Sequence, residues 1–375
     1  MEPDAQPETL PAPDPDASPR VPGFDVARAL AVFGMILVNY ELVLKAAKSG
    51  PTWLANLTQL LQGRAAATFV VLAGVGVTLG ARRAVSAADP EQIRRVRLTL
   101  WKRALFLLVV GLAYLTIWPA DILQFYAFYL GLGAFAITWS SARLWLASVG
   151  FVFVFLVLLL TLDYEAGWNF ATLSYSGLWT ARGLARRLLF NGFHPVFPWT
   201  AFLLVGMWLG RQRLTAPRTC AKVFVVAASV ALVTELGSRA LVSALLSSAE
   251  GLDPALVQAL AGTSVMPPMP QYLLAAGGTA VALISLCAGV VGRLPARWVR
   301  PMVLTGQLAL TLYVSHVVIG MGVLQAMGAL DEGRSLVFSV SFGAGFFLCC
   351  VVFSCLWRQR WDHGPLEALM RRITG

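Results

Sequence analysis

The chain has 375 residues, of which 58% are hydrophobic and only 13% are charged, and its formal net charge at pH 7 is +10. A soluble domain carries about 25% charged residues, so this composition excludes an ordinary water-soluble protein. The excess of positive charge does not indicate nucleic-acid binding, because the basic residues stand in short clusters between apolar runs, as they do in membrane proteins. We expect the lipid bilayer, and not nucleic acid, to be the main partner of the surface.

The N-terminal stretch, residues 1–22, is acidic and rich in proline, with few apolar side chains. Such a composition predicts a disordered tail. It lacks the positive n-region and short apolar h-region of a secretory signal, so the first apolar run is expected to stay as an uncleaved helix. The chain is therefore divided into this tail, a transmembrane domain over residues 23–357 and an amphipathic cytoplasmic tail over residues 358–375.

Ten segments approach the length of roughly 20 apolar residues that a helix needs to cross a bilayer. They are residues 24–44, 65–81, 102–118, 122–139, 144–162, 196–211, 222–246, 271–292, 301–325 and 336–357. We therefore predict an all-α polytopic membrane protein with about ten transmembrane helices. Pairs of glycines four apart, Gly76/Gly80 and Gly206/Gly210, are typical of close helix packing in membranes.

Lysine and arginine residues concentrate in the connections that ten spans would place on one side of the membrane. These are the second-to-third, sixth-to-seventh and eighth-to-ninth connections and the C-terminal tail. Because cytoplasmic connections carry the excess of basic residues, we predict that both termini are cytoplasmic and that the protein lies in the cytoplasmic (inner) membrane.

Some shorter segments also carry helix signals. Asp89-Pro90 and Asp253-Pro254 each place an N-cap Asp before a proline at the first helical position. Residues 172–190 set leucines against Arg182, Arg186 and Arg187, a pattern that predicts a helix lying on the membrane surface. The tail segment GPLEALMRRI repeats that pattern.

Polar side chains inside apolar helices are costly in a membrane and therefore indicate a functional site. Asn39, His194, Glu235 and His316 come from four different predicted helices, all at the depth of the outer half of the bilayer. A neutral His beside a carboxylate can act as a general base, and an amide can stabilise an oxyanion, so these four are the candidate catalytic residues. The alternatives are an interhelical bond for Asn39, an ion pair with Arg239 for Glu235, and packing roles for the two histidines.

A second set of polar residues lies near the predicted cytoplasmic side. It comprises Asp25, Arg28, Arg94, Arg95, Arg97, Lys102 and Arg103, the candidate cofactor-binding residues. Arginine and lysine can hold the phosphates of coenzyme A. The competing interpretation is a neutralised Asp25–Arg28 pair and a basic cluster that only sets topology. No residue pattern has metal-ligand spacing, and the five cysteines predict neither a zinc site nor a disulfide framework.

The first helix also resembles a known family. Asp25-x-x-Arg28 followed by Val38-Asn39-Tyr40 resembles the first helix of transmembrane acyltransferases, in particular that of the heparan-α-glucosaminide N-acetyltransferase catalytic domains. The stretches GRAAATFVVLAGVGVTLG, HPVFPWTAFLLVGMWLGR, TGQLALTLYVSH and GPLEALMRRIT are similar to hallmarks of that group and of the related bacterial YeiB-like membrane proteins of unknown function.

This resemblance implies that the protein takes an acyl group, such as acetyl, from cytoplasmic acyl-CoA as a co-substrate. The acyl group would pass to a sugar or other glycan acceptor at the outer side of the membrane. Asn39 matches the functional Asn of the family, but the loop KAAKSGPTWLANLTQLLQGR contains no counterpart of the family's catalytic His. His194 is then the first choice of base.

Two other functions also fit the sequence. One is a transporter of a small polar or lipid-linked substrate, in which Glu235, Arg239 and His316 would form a relay. The other is a non-enzymatic role in envelope assembly.

Overall fold

The computed structural model describes residues 21–46, 50–170, 172–248, 251–330 and 333–375. Residues 1–20, most of the predicted disordered tail, lie outside this range, and the first helix already begins at Pro22. The described residues form helices α1 Pro22–Val43, α2 Thr52–Leu61, α3 Arg64–Ser86, α4 Pro90–Tyr114, α5 Leu123–Ala136, α6 Ser141–Thr161, α7 Ala181–Arg186, α8 Val196–Leu209, α9 Pro217–Ser248, α10 Pro254–Ala261, α11 Pro270–Val290, α12 Ala296–Gln307, α13 Ala309–Ser315, α14 Gly322–Ala326, α15 Leu336–Trp357 and α16 Pro365–Thr374. Two short strands, β1 Trp168–Asn169 and β2 Ser174–Tyr175, pair antiparallel in the connection between α6 and α7.

The protein is an all-α polytopic membrane protein. Among the described residues, seven helices are long and apolar enough to cross a membrane, and there are eight if Ala181–Asn191 and Val196–Leu209, bent by 48° to each other, form one span. Each of the ten predicted segments contains a helix. However, α5 has only 14 residues, and α4 carries five basic residues before Ala104, so neither meets the length and composition of a regular span.

The bundle has two ends, which we name by their chemistry. The basic end carries the connections α3–α4, α8–α9 and α11–α12, and the hairpin end carries α2 and the β1–β2 pair. Helix α1 runs from the basic end to the hairpin end and packs against α3, α11, α12, α13 and α15. The segment from Gly306, at the end of α12, to His316 runs in the same direction as α1, because Arg28 Nη1 contacts the Gly306 carbonyl at 3.3 Å and Asn39, further along α1, contacts His316.

Local sequence signals located some helix starts correctly. The Asp89 carboxylate accepts hydrogen bonds from Glu91 N and Gln92 N at the start of α4, and that of Asp253 accepts one from Ala255 N at the start of α10, as predicted.

The two glycine pairs differ in their packing. Gly206 and Gly210 pack against the backbone of α3, as close helix packing requires. The prediction was wrong for Gly76 and Gly80, because a Cβ atom added at either position would have no neighbour within 4 Å in the described part of the chain.

The prediction of a surface helix over residues 172–190 was wrong. Only Ala181–Arg186 is α-helical, and it continues as a single π-helical turn, which we call a π-turn, over Arg187–Asn191. Arg187 is 1% exposed and not on a solvated face. It is buried because its guanidinium donates to Gln124 Oε1 at 2.9 Å and to the Pro119 carbonyl, partners that the local pattern of residues 172–190 does not contain.

The predicted span 301–325 is interrupted. Leu308 leaves the helical conformation between α12 and α13, and a π-turn over His316–Met321 separates α13 from α14. The first N–H groups of a helix have no partner within the helix. At the start of α13, those of Leu310 and Thr311 donate to the Glu367 carboxylate of α16, and a carboxylate is a favourable partner for a helix N-terminus. The C-terminal helix therefore fixes the segment that carries His316.

Candidate active site

Two of the four candidate catalytic residues meet. The Asn39 Nδ2 atom, near the end of α1, lies 2.8 Å from His316 Nε2, in the π-turn that follows α13. The two residues are 277 positions apart in sequence, so only tertiary packing brings them together. π-turns of this kind occur frequently at functional sites, because they rotate one side chain out of the regular helical register.

The hydrogen bonds of the imidazole define its tautomer. His316 Nδ1 lies within hydrogen-bond distance of the Tyr313 carbonyl, which can only accept, so Nδ1 carries the proton. Nε2 therefore keeps its lone pair and accepts from the Asn39 amide. His316 is completely buried, whereas Asn39 is half-buried. His316 is therefore a neutral base, and the half-buried Asn39 amide covers its reactive nitrogen, Nε2.

Further buried polar residues surround this pair, and sequence reasoning missed them. The hydroxyl of Tyr40 donates to the His316 carbonyl at 2.9 Å, and that of Tyr114 donates to the Val314 carbonyl at 3.3 Å. The Tyr313 ring lies 5.0 Å from the imidazole, and its hydroxyl donates to Asp121 Oδ1 at 3.2 Å. One signal was available, because Asp121 is the only acidic residue between Glu91 and Asp163.

Asp121 lies in the connection between α4 and α5 and is fully buried. Its second oxygen accepts from Leu123 N at 3.0 Å. Burial raises the pKa of Asp121 to about 7, although these hydrogen bonds and the nearby Arg187 guanidinium oppose the shift. This carboxyl group can therefore gain or lose a proton near neutral pH, one hydrogen bond away from the tyrosine that orients His316.

The close approach of α1 to the π-turn depends on Gly320. A Cβ atom at this position would collide with the Tyr40 hydroxyl oxygen. We expect Gly320→Ala to displace Tyr40 and to break its bond to the His316 carbonyl. The thermal midpoint should fall, because overpacking typically costs about 1–3 kcal/mol of stability. Any activity of the site should fall at least tenfold, because the π-turn that carries His316 is displaced. The matched control is Gly322→Ala, whose Cβ would meet nothing within 4 Å in the described part of the chain. Equal behaviour of the two variants in thermal unfolding and activity would contradict this role.

His194, the first choice of base from the sequence, lies in a different environment. Its ring packs edge-on against Trp199 at 4.6 Å and Phe125 at 5.9 Å, and its carbonyl accepts from the Tyr129 hydroxyl. No hydrogen bond or ring contact connects it to Asn39 in the described part of the chain. His194 is thus part of an aromatic cluster at the start of α8.

Glu235 is also held elsewhere. Its carboxylate pairs with Arg64 at 2.6 Å and with Arg239 at 3.0 Å, and it accepts from the Thr263 hydroxyl at 2.9 Å. The i,i+4 pair with Arg239 is the alternative that the sequence offered. These contacts join α9 to α3 and the α10–α11 connection, and they include neither Asn39 nor His316.

The candidate cofactor-binding residues fall into groups with different partners. Asp25 and Arg28 pair with each other at 2.8 Å, and Arg28 also contacts α12. Arg94 and Arg95 both pair with Glu91, and their hydrogen bonds lower the pKa of that carboxyl to about 2. These residues are therefore occupied by structural contacts.

The rest of the basic cluster differs in its surroundings. Arg97 donates to the Ala134 carbonyl and to the Thr138 hydroxyl, which ties α4 to α5. Lys102 is exposed, and Arg103 is partly buried with an unpartnered Nε atom and faces the like charge of Arg371 on α16. Within the described residues, Lys102 and Arg103 form no ion pair with a carboxylate, so they remain available to an anion.

A cavity of about 620 Å³ opens beneath the β1–β2 pair at the hairpin end. Three aromatic residues line it, namely Trp168, Tyr175 and Trp179, together with Ser174 and Thr180. Arg187 and Pro119 also line it, and the same Arg187 guanidinium contacts Gln124, three residues after Asp121. The cavity and the polar residues around His316 are thus neighbours along the α4–α5 connection.

Comparison with known families gives two matches. The family model described as heparan-alpha-glucosaminide N-acetyltransferase, catalytic, matches residues 20–247, which is more than half of the chain and includes Asn39. A model described as protein of unknown function (DUF418) matches residues 209–375, which include His316. No curated protein matches the sequence significantly. Asn39 and His316 therefore lie in regions matched by two different family models.

Proposed function

Because the chain belongs to the heparan-alpha-glucosaminide N-acetyltransferase catalytic family, we propose that it is an integral membrane enzyme that transfers an acyl group from acyl-CoA to a sugar or glycan acceptor. The observation that carries this proposal is the hydrogen bond between Asn39 and His316. It supplies an amide and a neutral imidazole at one place, as acyl transfer requires, in a chain whose first connection contains no His.

The transfer step follows from these two groups. When a thioester carbonyl enters, the Asn39 amide turns from Nε2 and donates to the carbonyl oxygen, on which negative charge develops. The released Nε2 takes the proton from the attacking amine or hydroxyl of the acceptor as the new C–N or C–O bond forms. His316 then returns that proton to the sulfur of the leaving thiolate as the C–S bond breaks.

The donor would enter from the basic end, which we propose to be cytoplasmic. Lys102 and Arg103, joined by Arg371 of the packed tail helix, are the basic groups suited to the phosphates of acyl-CoA. Asp25 and Arg28 would line the path towards the site. Asn39 lies fourteen residues beyond Asp25, about 21 Å along α1, so the thioester must reach deep into the bundle.

The acceptor would enter from the hairpin end, which we propose to be the outer side. The cavity at β1 and β2 is lined by Trp168 and Trp179 and by Ser174 and Thr180. Aromatic and hydroxyl-bearing residues together suit a sugar ring, whose faces are apolar and whose edges form hydrogen bonds.

The test is acyl transfer by the purified full-length protein with radiolabelled acetyl-CoA and glucosamine. We expect label in the sugar, and we expect Asn39→Ala to lower the rate by about 10²–10³ with donor binding unchanged, since one oxyanion donor typically contributes that much. Donor binding, measured by filter retention, is the control. Failure of the wild-type protein to bind the donor at millimolar concentration would end the acyl-CoA proposal.

A further inference from the structure

A second cleft, independent of the proposed active site, lies between α6, α8, α9 and α11 and has a volume of about 880 Å³. We call it the α6–α9 cleft. Small residues of α11, Gly277 and Gly278, and the Phe202 ring of α8 are among the residues that form its inner wall. Neither Asn39 nor His316 lines it, so its occupant need not take part in acyl transfer.

Helices α6 and α9, which form the long walls of the cleft, are apolar and turn most of their surface away from the bundle. Only 17% of the most apolar 18-residue stretch of α6 and 11% of that of α9 is buried inside the protein. Val226 and Leu274, which both line the cleft, are 55% and 54% exposed. In a membrane protein such surface faces lipid, so hydrocarbon chains can enter the cleft laterally.

The end of the cleft at the basic end of the bundle is polar. Gln212, Arg218, Thr219 and Lys222 line it there. Arg218 and Lys222 are four residues apart on α9 and therefore share one face. Both are exposed, and neither forms an ion pair within the described residues, whereas Arg94, Arg95 and Arg239 each do. Two uncompensated cations thus stand at the mouth of an apolar cleft.

The length of the cleft matches one leaflet. From Arg218 to Val230 there are twelve residues of α9, or about 18 Å. Half of the hydrocarbon core of a bilayer is about 15 Å thick. A molecule with its head at Arg218 and Lys222 would therefore extend its chains to about the midplane. We infer that the α6–α9 cleft binds an anionic phospholipid from the leaflet at the basic end, with the phosphate on Arg218 and Lys222.

The charge complementarity distinguishes this lipid from a zwitterionic one. The test measures the thermal midpoint of the full-length protein in neutral detergent with added phosphatidylglycerol, phosphatidylcholine or inorganic phosphate. Of these three additives, we expect only phosphatidylglycerol to raise the thermal midpoint. Lipid extraction should recover phosphatidylglycerol with the protein. Arg218→Ala/Lys222→Ala should bind it roughly thirtyfold more weakly. The control Arg213→Ala/Arg360→Ala removes two charges outside the cleft and should bind normally.

A second pair of variants tests the apolar part separately. Val226→Trp places a large ring in the cleft and should prevent lipid retention, whereas Val225→Trp, at an equally exposed position outside the lining, should not. Equal midpoint shifts with the two lipids, or with phosphate alone, would overturn the inference. So would a shift given by palmitoyl-CoA but not by phosphatidylglycerol, since the occupant would then be a donor substrate.

Discussion

Replacing His316 by Gln is expected to lower the kcat of acyl transfer by a factor of about 10²–10⁴, the usual contribution of a general base. Gln can still form a hydrogen bond with Asn39 but cannot take a proton from the acceptor. His316 is buried and Gln has a similar length, so we expect only a small change in the thermal midpoint beside the large loss of rate. The measurement is transfer of labelled acetyl to glucosamine, with donor binding measured in parallel.

The matched control is His194→Gln. This residue packs against Trp199 and Phe125 and has no contact with Asn39 within the described residues, so we expect transfer to persist. The two histidines thus test each other in the same protein. An inactive His194→Gln variant beside an active His316→Gln variant would show that the base is the one the sequence favoured and would refute the assignment from the structure.

The second large effect is expected on stability. Arg64→Met should lower the free energy of unfolding by about 3 kcal/mol, because it leaves the Glu235 carboxylate largely buried without its closest partner. The side chains of Arg64 and Glu235 are only 11% and 18% exposed, and their atoms are 2.6 Å apart. The value lies at the low end for buried pairs because Arg239 and Thr263 still contact Glu235.

Unfolding in mixed micelles with increasing dodecyl sulfate measures this loss. The double variant Arg64→Met/Glu235→Met should be less destabilised than Arg64→Met alone, since removing both partners leaves no uncompensated charge. Arg94→Ala breaks an exposed ion pair and should have no measurable effect. If Arg64→Met unfolds like the wild type, the contact between α3 and α9 does not stabilise the bundle.

The sequence by itself determined the features that depend on short range. Apolar runs of sufficient length defined the helices, because hydrocarbon requires every backbone polar group to be satisfied within the segment. The caps Asp89 and Asp253 and the pairs Asp25–Arg28 and Glu235–Arg239 follow from spacings of two to four residues, and all are present. The cost of an amide inside an apolar helix was enough to single out Asn39.

Only the tertiary structure decided which of the candidates meet. Counting along the chain places His194 and His316 at similar depths, but the packing of the Gly306–His316 segment along α1 and the π-turn at His316 select one of them for Asn39. Arg64 and Arg187 look like connecting-segment charges in the sequence, yet both are buried on partners 171 and 63 or more residues away. Side-chain contacts of this range depend on how helices cross and where they break, and neither hydropathy nor local spacing contains that information.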